Sequence, residues 1–342
     1  NLRLENLSSD PGTKTGIKGT VVYAGKRIEM DGRISLNDTP KKVSISISSE
    51  NFSLSAFTKF LEPLRIDSKK TRIGLGMHVE GDTENGFRIK SNIRIKEAGL
   101  FLFSKGSRDI QLRTDATYSP RDHSLVIHVA SFQTHGVAAA TLKGVVSDLK
   151  KKPSYRAEIK IDGLDLSGFN CIKDLKTKGI LTANNIRIRG NFEAKVPEVS
   201  GRLQLREGGI ESHHAIIERI NANVIFSSDK EMSVKGEASA RVVKFGEYLL
   251  RKPVDAWLSA ALQGTHQQMA VTSILNLSPC EMKFKGGETV YLDSSHIMID
   301  GILKDRAFSG KTSFGIKEIQ YADHIICWLK SSSGIDFQKK EI

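Results

Sequence analysis

Strict alternation of apolar and polar residues recurs along this chain, and it restricts the chain to half-buried β-strands. Val43-Ser44-Ile45-Ser46-Ile47-Ser48 puts three β-branched side chains on one side and three serines on the other. Asn92-Ile93-Arg94-Ile95-Lys96, Asn185-Ile186-Arg187-Ile188-Arg189 and Arg202-Leu203-Gln204-Leu205-Arg206 repeat the pattern with amides or charges on the polar side. Ile220, Ala222, Val224 and Phe226 alternate with Asn221 and Asn223, and Ile297-Met298-Ile299-Asp300 and Phe314-Gly315-Ile316-Lys317 continue the pattern. Successive side chains of a strand point to opposite faces, so each run predicts a strand with one dry and one wet face. Sheets of that kind are usually antiparallel.

The connections agree with this reading. Glu84-Asn85-Gly86, Ser119-Pro120-Arg121-Asp122, Ser227-Ser228-Asp229-Lys230 and Lys285-Gly286-Gly287-Glu288 are turn sequences between strand-like runs, which predicts hairpins in a long meander. Three short helices are also expected. Ser55 can cap one with apolar positions Phe57, Phe60, Leu61 and Leu64, ended near Pro63. Ser167 can cap a second, followed by Phe169, Ile172 and Leu175, and Tyr321 to Lys330 can form a third.

Two stretches of the chain echo each other. Phe52-Ser53-Leu54-Ser55-Ala56-Phe57 resembles Leu164-Asp165-Leu166-Ser167-Gly168-Phe169, 112 residues later, and Gly32 and Gly144 precede the two phenylalanines by the same 25 residues. Ile93-Arg94-Ile95-Lys96-Glu97-Ala98-Gly99-Leu100 is echoed by Leu203-Gln204-Leu205-Arg206-Glu207-Gly208-Gly209-Ile210. Internal repetition points to stacked modules that share one apolar face. The expected organisation is a single repeat body over 1–342: the end of a preceding unit (1–31), repeat one (32–143), repeat two (144–274) and a diverged or terminal unit (275–342).

Other features narrow the function. The net charge of +12 comes from lysines and arginines spread along the chain, which suits a solvated surface first, anionic lipid headgroups second and nucleic acid least. Three widely spaced cysteines, Cys171, Cys280 and Cys327, exclude a disulfide framework and a CxxC motif. No apolar run approaches the ~20 residues of a membrane-spanning helix. The common nucleophile, metalloprotease and nucleotide-binding signatures are missing, so no enzyme, metal site or cofactor is expected. His213-His214 point to opposite sides if extended and read as turn residues. Asp293-Ser294-Ser295-His296 holds triad residue types without implying triad geometry.

The apolar strand, the Leu-Ser-x-Phe element and the stretches Val199-Ser200-Gly201-Arg202-Leu203-Gln204-Leu205, Gly208-Gly209-Ile210 and Ile220-Asn221-Ala222-Asn223-Val224-Ile225-Phe226 resemble the AsmA-like superfamily of Gram-negative envelope proteins, which includes the TamB-like members. Residues 158–245 carry the closest likeness and 32–148 a weaker one. The resemblance implies an elongated, curved antiparallel sheet forming a hydrophobic groove, with one short amphipathic helix per repeat. It implies a periplasmic location, an inner-membrane anchor upstream of residue 1 and a possible outer-membrane or envelope protein partner. The implied function is binding phospholipid acyl chains and supporting lipid transport between the membranes or outer-membrane biogenesis. The alternative is a non-enzymatic β-sandwich array, a scaffold or adhesion stalk with a dry core.

On the groove reading, the lining residues are the inward members of the alternating runs. These are Ile45, Ile47, Ile93, Ile95, Ile127, Ile159, Ile161, Ile186, Ile188, Leu203, Leu205, Val224, Phe226, Ile297 and Ile299. No catalytic or metal-ligating residue is expected.

Overall fold

Alternating sequence becomes antiparallel sheet throughout a computed structural model of the chain. It describes residues 2–5, 12–23, 26–35, 37–53, 72–96, 110–134, 137–168, 175–193, 196–229, 231–245, 248–265, 268–283, 288–304, 307–321 and 324–337. The first ten strands are β1 (Leu2–Glu5), β2 (Lys14–Tyr23), β3 (Lys26–Ser35), β4 (Lys42–Ser53), β5 (Arg72–Asp82), β6 (Gly86–Lys96), β7 (Ile110–Ser119), β8 (Ser124–Thr134), β9 (Val137–Ser147) and β10 (Ser154–Asp165). Next come β11 (Lys176–Asn191), β12 (Glu198–Glu211), β13 (Ala215–Ser228), β14 (Met232–Phe245), β15 (Tyr248–Gly264) and β16 (Gln268–Leu277). The last are β17 (Cys280–Lys283), β18 (Thr289–Leu292), β19 (Ser295–Lys304), β20 (Ala307–Tyr321) and β21 (His324–Phe337).

The chain divides into two compact units, one of residues 1–162 and 187–197, the other of residues 163–186 and 198–342. In the first, each strand from β1 to β10 pairs antiparallel with the next, a pure meander. The turns at Thr83–Asn85 and Pro120–His123 fall where the Asn-Gly and Pro-Asp signals place them. Asp82 Oδ1 accepts the backbone N–H groups of Glu84 and Asn85 at 2.9 and 2.6 Å, which ties the first turn.

In the second unit β12 to β16 form a meander, and β19, β20 and β21 extend it. Between them, β17 and β18 make a side hairpin. β17 pairs with the start of β15, and β18 with the end of β20. Pro279 lies at the break between β16 and β17, where a residue without an N–H cannot serve the ladder. The neighbouring Ser278 compensates: its Oγ accepts the Asp255 N–H at 2.9 Å, and its own N–H bonds the Asp255 carbonyl at 2.8 Å.

The expected helices need correction. The segment after Ser55 lies outside the described residues. At Ser167 the described residues form a three-residue 3-10 turn, Leu166–Gly168, with Asp165 Oδ1 accepting the Ser167 N–H at 2.8 Å; residues 169–174, where the expected helix would continue, lie outside the described residues. Of the stretch Tyr321 to Lys330, the described residues, Tyr321 and 324–330, are strand and not helix. His324 onward forms β21, in register with β20 from Tyr321↔His324 to Phe308↔Phe337. The helical spacing there is outweighed by β-branched Ile325 and Ile326 and by the edge that β20 offers for a full ladder. A helix in each repeat is therefore not seen among the described residues.

Gly32 and Gly144, 112 residues apart, do the same local work. Gly32 opposes Ile45, and a Cβ on it would come within 2.5 Å of the Ser44 carbonyl oxygen and 2.9 Å of the Ile45 Cα. Gly144 opposes Ala157, and its Cβ would come within 2.9 Å of the Arg156 carbonyl oxygen and 3.3 Å of the Ala157 Cα. Ser44 and Ile45 are themselves 112 residues before Arg156 and Ala157. Both glycines let adjacent strands approach closely. Gly32→Val should lower stability by about 1–3 kcal/mol by overpacking against backbone. Gly76→Ala, whose Cβ would meet nothing nearer than 3.8 Å, should not destabilise. Urea unfolding midpoints of the two variants check the contrast.

Candidate functional site: an apolar sheet face

Directly opposed residues of an antiparallel pair project to the same face. Traced strand by strand, Leu4, Ile17, Gly32, Ile45, Val79, Ile89, Ala116, Ile127, Gly144 and Ala157 form one unbroken rung across β1 to β10. A parallel rung joins Met30, Ile47, Met77, Ser91, Thr114, Ala130, Leu142 and Ile159. A third joins Ile28, Ser49, Leu75, Ile93, Leu112, Phe132, Ala140 and Ile161. Ile95 opposes Ile73 on one side and Ile110 on the other. Gly190 faces Tyr155, whose hydroxyl lies 2.9 Å from where its Cβ would be, and Ile188, two residues earlier in β11, shares that side. The seven expected residues from Ile45 to Ile161, with Ile188, thus lie on one face of the first unit.

The second unit repeats the construction. Leu203, Val224, Gly236, Ala260, Ser273, Ile299, Thr312 and Ser333 form one rung. Leu205, Ala222, Ala238, Leu258, Leu275, Ile297, Phe314 and Ser331 form the next. Phe226 opposes Gly201 and Val234, and a Cβ on Gly201 would lie 3.0 Å from Ile186 Cγ1 and 3.1 Å from Phe226 Cζ. Ile186, Leu203, Leu205, Val224, Phe226, Ile297 and Ile299 therefore share one face here.

Sequence reasoning missed many members of both faces. Met77 and Val79 alternate with Gly76, His78 and Glu80, a pattern weakened by small residues but still of period two. Others were hidden by a change of phase. Between Ser49 and Phe52, Ile127 and Ala130, Leu205 and Gly208, and Glu218 and Asn221 the register shifts by an inserted residue. Each bulge moves the apolar set from odd to even positions or back, so Leu125 and Ile127 share a face with Ala130 and Phe132. The parity change is visible in the sequence once sought. At one bulge pair the Asn221 side chain is the tie: its Oδ1 accepts the Glu207 N–H at 3.2 Å and its Nδ2 donates to the Arg219 carbonyl at 3.1 Å. Glu207 and Arg219 both hold positive φ there.

None of the fifteen expected residues is fully buried; all are half-buried. Among the described residues the buried apolar side chains are Ile110, Val254 and four alanines, Ala116, Ala139, Ala183 and Ala256. The described apolar faces are therefore covered only in part.

The opposite face carries the charged side chains of the alternating runs, together with exposed aliphatic groups such as Ile225, Ile274 and Met298. Arg88 grips Asp115 with two hydrogen bonds, Nη2 to Oδ2 at 2.7 Å and Nε to Oδ1 at 3.1 Å, which holds the Asp115 carboxyl below its ordinary range. Lys176 does the same to Glu211 at 2.8 Å. Thr117 Oγ1 meets His128 Nε2 at 2.8 Å. His213 and His214 are exposed in the turn before β13. Asp293 pairs with Lys317 at 3.5 Å, and His296 packs over Gly315, so these triad residue types are engaged elsewhere. Burial pushes the Cys280 thiol up, away from the reactive thiolate. Among the described residues no group of three His, Cys, Asp or Glu could hold a metal ion, and no helix is long and apolar enough to cross a membrane.

A scan against protein-family models finds no match to this chain, and a search of curated proteins finds no significantly similar sequence.

The Asp115 pair gives a pH prediction. A carboxyl with a lowered folded-state pKa contributes stability above the ordinary carboxylate range and loses it as pH falls through the lowered value. Asp115→Asn should therefore destabilise at neutral pH, with the gap to wild type closing below about pH 4. Thermal melts across that range measure it.

Proposed function

We propose that the apolar faces form a trough that binds phospholipid acyl chains, within a periplasmic protein that supports lipid movement between two membranes or outer-membrane biogenesis. The observation that carries the reading is the combination of mainly apolar rungs that run on from strand to strand with side chains that are only half-buried. An apolar face must be covered by something, and the described residues supply no second layer sufficient to bury it. Acyl chains match the need, since they are apolar, extended and deformable. Each methylene removed from water contributes roughly 0.8 kcal/mol, so a 16-carbon tail gains on the order of 10 kcal/mol in contact with such a surface. The headgroup stays in water near the basic polar face. The envelope setting, an upstream inner-membrane anchor and an outer-membrane or envelope partner rest on the family resemblance. Binding and passage of lipid need no catalytic group, cofactor or metal.

Purified protein extracted with organic solvent should release phospholipid near stoichiometry, identified by mass spectrometry. Lipid-free protein with an unchanged fold would favour a dry scaffold instead. Ile47→Glu and Leu205→Glu should retain the circular dichroism of the sheet, because neither side chain is sealed in a core, yet lose most bound lipid. Ser44→Glu, on the opposite face, should keep it.

A further inference from the structure

The polar side of the second unit holds a feature that the trough does not use. Trp257 on β15 projects to the face opposite the apolar rungs and is 49% exposed. A large exposed aromatic among polar neighbours is more informative than a scattered surface leucine. Trp257 is flanked in register by Ser239 on β14 and Asn276 on β16. The adjacent rung on the same face runs Gln204, Asn223, Glu237 and Ser259 and then continues into exposed Ile274 and Met298, so its polar groups lie on the β12–β15 side of the indole. These residues line a shallow depression of about 560 Å³, with Arg206 at its margin. That volume falls in the ~300–1,000 Å³ range of small-molecule sites.

The side chains divide into structural and available groups. Asn221 is consumed by the bulge, and Asn223 Oδ1 accepts from Arg202 Nε. Gln204, Glu237, Ser239, Ser259 and Asn276 have no side-chain partner among the described residues. They offer amides that both donate and accept, hydroxyls that do either, and one carboxylate acceptor. A planar indole ringed by such groups matches a ligand with an apolar ring face and a hydroxylated rim. A pyranose has that build: its axial C–H bonds pack on an aromatic face while its equatorial hydroxyls point outward to hydrogen-bonding groups.

We propose that the Trp257 depression is a saccharide-binding site, with the indole as the stacking platform and Asn276, Glu237, Ser259 and Gln204 as hydroxyl partners. Glu237 and Arg206 bring one charge of each sign to the lining, with Glu237 among the hydroxyl partners and Arg206 at the margin, so the ligand class is a neutral oligosaccharide. The site lies on the other face from the proposed lipid surface, and its test involves no lipid.

Calorimetric titration of the whole chain with maltohexaose and with the hexamer of N-acetylglucosamine should give saturable binding of at least one, with a Kd of about 0.1–1 mM. Trp257→Ala should weaken it more than tenfold, Trp257→Phe should retain part of it, and Asn276→Ala should weaken it severalfold. Oligogalacturonate should bind more weakly, and Glu237→Gln should narrow that difference. Urea midpoints of the variants should match wild type, because Trp257 is exposed. Absence of saturable binding of both neutral hexasaccharides, or unchanged binding by Trp257→Ala, overturns the proposal. Self-association that Trp257→Ala abolishes without any saccharide binding also overturns it and makes the patch a protein contact.

Discussion

Register is the constraint on which the rest depends. A strand's side chains alternate with period two, so a slip of one residue would turn every apolar group of that strand to the wrong face. Ten strands of the first unit and eight of the second keep their apolar sets in phase, rung after rung. The bulges do not interrupt this phase. They absorb one extra residue where the sequence itself changes parity, as at Ile127 and Ala130, so the face continues across the irregularity. Close-approach glycines such as Gly32 and Gly144 help to hold adjacent strands at the distance the ladder needs.

A face built in this way has unusual energetics. Most domains bury their sheets against a second layer, and side chains such as Ile47 or Leu205 would then be sealed. Here they are only half-buried, while the fully buried apolar groups among the described residues are mainly alanines. Stability comes from long antiparallel ladders and cross-strand pairs more than from a deep core. The proposed lipid ligand would complete the burial that the chain leaves unfinished, and the polar face remains free for other chemistry, as at Trp257.

Much of this was legible in residue order. The runs around Ile45, Ile93, Ile188, Leu203 and Ile297 announce strands and assign their apolar sides, and the Asn85-Gly86 and Pro120 signals announce turns. The helical spacing from Tyr321 to Lys330 misled, because local periodicity cannot register that β20 offers a long edge to pair with. At the second expected helix the described residues show a 3-10 turn begun at Asp165. The Trp257 depression was not legible. Ser239, Trp257 and Asn276 lie on three different strands, and only pairing brings them side by side.

The sequence by itself determined that the chain is β, that its strands are amphipathic and antiparallel, and which side is apolar in the strictly alternating runs, because these follow from a two-residue period and local turn chemistry. The tertiary structure alone decided that those sides join into continuous faces, where bulges restore the phase, and that the faces stay only partly covered. A groove wall and a sealed core share one alternating pattern, and what separates them is the presence of a second layer, a long-range property that no local stretch of residues encodes.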